Sequence, residues 1–170
     1  ALEITDDCYV IISFSKYFSM TGWRVGWMIV PEDHVRQVEK VSQNLFICPP
    51  HASQITALAA LDAKEELDEN VNVYRKNREI LLEELPKAGF TTFSPPDGAF
   101  YIYVDISKFS NDSLSFCRKV LDEAGVAITP GLDFDQHRGS STIRFSYARS
   151  TKDIIECTKR LRVFMSKNFN

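Results

Sequence analysis

Short apolar runs alternate with longer stretches of helical periodicity along this chain, and proline or glycine marks most of the changes. That pattern confines the fold to mixed α/β, with strands and helices in alternation. Residues 8–13 and 25–30 (ValGlyTrpMetIleVal) are apolar and β-branched enough for buried strands. Pro31, with Glu32 and Asp33 behind it, opens a helix along which Val35, Val38, Val41 and Leu45 recur at helical spacing. Pro49 and Pro50 stop that helix and start another, dense in alanine and leucine. A third helix is expected over 66–88, with Val71, Tyr74, Arg78, Leu81 and Leu85 on its stripe and Gly89 as its C-cap.

Composition changes after Gly89. PheThrThrPhe and AlaPheTyrIleTyrValAspIle read as two strands around a SerProProAspGly turn. An amphipathic helix follows from Ser110 to Ala124, then a short ValAlaIleThr strand, a ProGlyLeuAspPhe loop and a ThrIleArgPheSerTyr strand. The last helix opens on a capping box, Ser150 to Asp153, and carries Ile154, Leu161 and Met165 on one face. Both tryptophans, Trp23 and Trp27, are expected in a core.

Several function classes are excluded. Twenty basic against twenty-three acidic residues leave a net charge of −3, no footprint for a nucleic-acid binder. The apolar runs fall far short of the ~20 residues that a membrane-spanning helix needs. Cys8, Cys48, Cys117 and Cys157 form no CxxC and no Cys/His cluster, which argues against zinc and thioredoxin-type chemistry. They read as reduced thiols of a cytoplasmic protein. No spaced carboxylate pair suggests glycosidase chemistry. The opening AlaLeuGluIleThrAspAsp lacks an initiator Met and any signal-peptide pattern, and is read as a cut inside a larger protein.

The connection from Ser13 to Arg24 carries the most chemistry. Lys16 follows directly on a strand, with hydroxyls at Ser13 and Ser15 and a guanidinium at Arg24. An amine nucleophile needs shelter or a nearby cation, and Phe14, Tyr17, Phe18 and Met20 flank it. Two hydroxyls and an arginine suit a phosphate. A phosphate beside a Schiff-base-forming lysine points to pyridoxal phosphate. The bland alternative is a solvated loop lysine, and the residues alone leave both open.

SerPheSerLysTyrPheSerMetThrGlyTrpArgValGly resembles the lysine-attachment signature of the class I/II (fold-type I) pyridoxal-phosphate-dependent aminotransferases. ProProHisAlaSerGln, GlyAlaPheTyr, a ProGly loop and IleArgPheSerTyrAla follow in the same order, so the resemblance spans nearly the entire chain but only the C-terminal part of the family's sequence. It implies that Lys16 carries the cofactor pyridoxal 5'-phosphate as a Schiff base and moves the substrate Cα proton. It implies Ser13, Ser15 and Arg24 as cofactor-binding residues, and Arg144 as the group that grips the substrate α-carboxylate. Phe100 and Tyr101 match a stretch near the substrate pocket, though strand aromatics are more often core. Residues 130–134 would close over the site and 135–139 could tune specificity; His34, His51 and His137 are not expected to do chemistry. No metal is expected.

The implied fold is α/β: residues 1–65 as the end of the large cofactor domain, and 66–170 as a small C-terminal α+β domain. The implied activity moves an amino group between an amino acid and a 2-oxo acid, in a parent that is a homodimer. The family's cofactor-ring groups precede the attachment lysine, so the chain as given should be a poor catalyst. A C–S lyase or decarboxylase of the same fold, or an aminotransferase-like effector domain of a transcriptional regulator, are the alternatives.

Overall fold

The computed structural model describes residues 1–169, and the chain divides into two compact units, Ala1–Val71 and the part from Asn72 onward. The division falls within one long helix, α3 (Lys64–Lys87).

In the first unit, β1 (Val10–Ser13) and β2 (Gly26–Ile29) form an antiparallel pair, Val10 opposite Ile29 and Ser13 opposite Gly26. The strands approach so closely at Gly26 that a Cβ there would lie 2.5 Å from the Ile12 carbonyl oxygen. Pro31 leads into a 3-10 turn (Glu32–His34) and then α1 (Val35–Leu45); Pro50 caps α2 (His51–Ala60). The core of this unit is small: Phe14, Met20 and Ala57 are buried, with Phe18, Val25 and Ala60 packed against them.

The expectation of buried strands fails here. Ile11 is 78% exposed, and Met28, Ile29, Trp27 and Trp23 are exposed as well. A two-stranded ribbon gives each strand one neighbour and covers neither face, so its apolar side chains have little to pack against. Trp27 still rests against the Phe14 ring, 5.0 Å between centroids.

The second unit holds the later turns of α3, then β3 (Tyr101–Asp105), α4 (Ser113–Ala124), β4 (Thr129–Pro130), β5 (Thr142–Ser146) and α5 (Thr151–Phe169). Its antiparallel sheet runs β3-β5-β4, with Tyr103 opposite Arg144 and Thr129 also opposite Arg144. Period-two alternation sorts the faces. Ile102, Val104, Ile143 and Phe145 point into a core completed by Leu81, Leu85, Phe90, Phe116, Val120, Ile154, Leu161 and Phe164. Tyr101, Tyr103, Thr142 and Arg144 occupy the other face.

The helix signals translate directly. The Asp112 carboxylate accepts from the Ser115 N–H at the start of α4, which begins at Ser113 rather than the expected Ser110 and ends at Gly125; α3 ends at Lys87, two residues before Gly89 at φ +94°. The Asp153 N–H donates to Ser150 Oγ at the start of α5. Two strand expectations are corrected. Residues 90–93 form no strand: they meet β3 only through a Phe93–Val104 bridge and the Asp105 N–H donating to Thr92. Pro95 and Pro96 have no N–H to extend a ladder. Residues 126–129 pair only from Thr129, because Val126 goes into the core while Pro130 and a 3-10 turn (Gly131–Asp133) end the strand at once.

Candidate functional site

Residues 14–25 return tightly between β1 and β2. The Phe14 N–H donates to Val25 O, which extends the ribbon by one bond, and the Met20 N–H donates to Phe14 O. Burial of Phe14 and Met20 anchors the excursion from within. Ser19 and Arg24 both lie in the left-handed region, φ +55° and +52°. Such strain persists only where surrounding contacts over-determine it, and it clusters at working sites.

Those contacts are specific. The Ser15 N–H donates to Ser13 Oγ at 3.0 Å; the Thr21 hydroxyl donates to Ser15 O at 2.6 Å; Arg24 Nη1 donates to Thr21 O at 2.7 Å. Thr21 therefore ties Ser15 to Arg24, a role the motif did not announce. Ser13, Ser15 and Arg24 line one groove of about 990 Å³ between β1, β2 and α1. The Ser13 Oγ contact above uses a lone pair, so its hydrogen is left to donate, and Arg24 keeps further N–H donors. That donor set suits a phosphate-sized dianion.

Lys16 is exposed at the head of the turn; its carbonyl accepts from the Ser19 N–H, and it is not among the residues lining the groove. Next to it the Tyr17 hydroxyl donates to Asp68 on α3 at 2.7 Å. That hydrogen bond to Asp68 is the main reason the Tyr17 pKa is raised.

In the second unit, Arg144 lies half-buried in β5 with its guanidinium carbon 4.1 Å from the centroid of the Tyr101 ring and 4.3 Å from that of Phe134. Its Nε is buried without a hydrogen-bond partner. A buried donor left unpaired costs ~1–3 kcal/mol, which a ligand carboxylate would recover. Phe134 belongs to the loop over residues 130–141, held down by the Ser113 hydroxyl donating to Gly139 O at 2.6 Å. Asp135 accepts from the N–H groups of His137 and Arg138. Those bonds hold its carboxyl below the usual range, the Arg138 N–H first. The sequence set Tyr101 in a stretch expected near the substrate pocket and Phe134 in a loop expected over the site, but not their stacking on Arg144. No group of His, Cys, Asp and Glu among the described residues could hold a metal ion.

The family described as aminotransferase class I and II matches residues 2–161. The chain belongs to that family. A valine–pyruvate aminotransferase of Mycobacterium tuberculosis is 46% identical over 163 residues, 95% of this chain and 42% of that protein. An aspartate aminotransferase of Sulfurisphaera tokodaii is 36% identical, over 92% of this chain and 41% of that protein. A crystal structure of an aminotransferase from Mycobacterium tuberculosis superposes on this chain with TM-score 0.95 at 44% identity, covering 98% of it and 43% of the other. This aminotransferase-family chain thus spans less than half the length of the relatives it matches.

Proposed function

We propose that the chain is the part of a pyridoxal-phosphate-dependent aminotransferase that supplies the cofactor's lysine, part of its phosphate site and the substrate's carboxylate grip. The reading rests above all on Arg144, a guanidinium stacked on two rings with a buried donor unpartnered. Family membership supports the chemistry, and the shared groove of Ser13, Ser15 and Arg24 fits the cofactor's phosphate.

Pyridoxal phosphate, when bound, supplies the electron sink that acidifies the substrate Cα–H. The chain's own residues do the rest. Ser13, Ser15 and Arg24 hold the phosphate through hydroxyls and a guanidinium. Lys16 Nζ would hold the cofactor and, when free, would be the general base that takes the proton from the substrate Cα. Arg144 receives the α-carboxylate as a two-pronged hydrogen-bond donor, which fixes the orientation of the Cα–H. Amino acid and 2-oxo acid are the substrates, and the amino group passes between them in two half-reactions. The reading includes a homodimeric parent in the cytoplasm. All four cysteines are free, as a reducing compartment keeps them, and the exposed Ile11, Leu45, Ile47 and Leu58 offer apolar surface for association.

The test is borohydride reduction of the full-length protein with its cofactor, followed by peptide mapping. The pyridoxyl group is expected on Lys16; a label on another lysine overturns the assignment.

A further inference from the structure

Ala99 is a non-glycine residue at φ +54°. It sits two positions before Tyr101, the ring beneath the Arg144 guanidinium. A left-handed alanine is unfavourable in itself and returns to ordinary backbone unless its neighbours prevent it.

The neighbour that prevents it is Tyr147, one residue beyond β5 and 2% exposed. Its hydroxyl donates to Ala99 O at 3.2 Å, and its N–H donates to Phe100 O at 3.0 Å. Tyr147 is itself clamped: Asn77 Nδ2 on α3 donates to the carbonyls of Tyr147 at 3.0 Å and Arg149 at 2.7 Å. Burial raises the Tyr147 pKa against the opposing pull of the Arg78 guanidinium, so the hydroxyl remains a donor through neutral pH. Phe100 then packs between Tyr74 and Tyr101, with ring centroids 6.0 and 4.4 Å away. A continuous set of contacts runs from Asn77 through Tyr147 and the Ala99–Phe100 turn to Tyr101, and ends at Arg144.

We propose that Tyr147 is a positioning residue for carboxylate binding: its hydroxyl locks Ala99 in the left-handed region and thereby holds the Tyr101 ring against the Arg144 guanidinium. The inference rests on the reading of Arg144 as the carboxylate grip. Tyr147 touches no substrate in this account; it acts through the turn.

The test compares Tyr147→Phe with Arg144→Gln in the full-length enzyme, using propionate as an unreactive carboxylate and reading its competitive inhibition constant. Tyr147→Phe removes one buried hydrogen bond and keeps the ring, so propionate is expected to bind about fivefold more weakly, the amino-acid KM rising in step and kcat staying within about twofold. Arg144→Gln should weaken propionate by more than about tenfold. Should Arg144→Gln leave propionate binding intact, the carboxylate reading itself fails. Should Arg144→Gln weaken it while Tyr147→Phe does not, only the positioning role is overturned. A crystal structure of the Tyr147→Phe enzyme gives a second readout independent of kinetics. Ala99 is expected to leave the left-handed region and the Tyr101 ring to shift; an unmoved turn overturns the proposal.

Discussion

At Arg144 a strand position, a neighbouring strand and a returning loop meet on one side chain, whereas the thiols of the same unit show what burial does without a partner. Cys117 lies in the core on α4, and burial, aided by the Asp133 carboxylate, pushes its pKa up to about 11. Cys157 on α5 is also pushed to about 11 by burial, with Arg160 working the other way. Both folded values exceed the ordinary thiol value, so the unfolded chain ionises first as pH rises. The stability these thiols contribute is therefore complete below about pH 9 and is lost as pH climbs towards 11. The urea midpoint should fall across that window, and it should fall less in a Cys117→Ser/Cys157→Ser variant. At about pH 8 a thiol reagent should modify exposed Cys48 promptly and Cys117 only on unfolding. Equal rates at the two positions would sink the account.

The loop that carries Phe134 shows the same dependence on close approach at the level of an element. A Cβ at Gly139 would sit 2.7 Å from both Cα and N of Leu132, which are backbone atoms that cannot swing aside. Gly139→Ala is expected to cost ~1–3 kcal/mol in urea unfolding. Gly98→Ala, with no atom within 4 Å of the new methyl, should change stability by less than ~0.5 kcal/mol. If the two variants unfold at the same urea concentration, the loop is not seated as described. The contrast also explains what the sequence could convey. α1, α2 and α5 were legible because proline, alanine density and a capping serine act within a few residues of each other. The turn between β1 and β2 was legible for the same reason, its groups lying on one short segment, although Lys16 stands apart from the groove that Ser13, Ser15 and Arg24 line. The rings on Arg144 and the Tyr147–Ala99 contact were not legible, since Tyr101 and Ala99 reach their partners through the pairing of β3 with β5, and Phe134 through the return of the 130–141 loop. The segment 90–93 misled because its β-forming residues precede two prolines, and propensity says nothing about which N–H groups a neighbouring strand will need.

Across the whole chain the two units differ most in how much core they own. Eighteen buried hydrophobic residues form the core of the second unit, against three in the first. Burying one large apolar side chain contributes ~1.5–3 kcal/mol, so this difference dominates any difference in hydrogen bonding. The amides of β3 and β5 should therefore exchange with solvent only on global unfolding of their unit, while those of β1 and β2 exchange through small local openings. Hydrogen exchange on the chain is expected to give Ile102, Val104, Ile143 and Phe145 protection at least about a hundredfold above that of Val10, Ile12 and Trp27, a gap of ~2.7 kcal/mol. The prediction has a second half under the proposed function. In the full-length enzyme the β1 and β2 amides should gain protection and β3 and β5 should change little, because only the first unit leaves its strand faces exposed. Strands β1 and β3 equally protected in the chain itself would mean that the small cluster of Phe14, Met20 and Ala57 holds the Lys16 turn more firmly than its buried surface can account for.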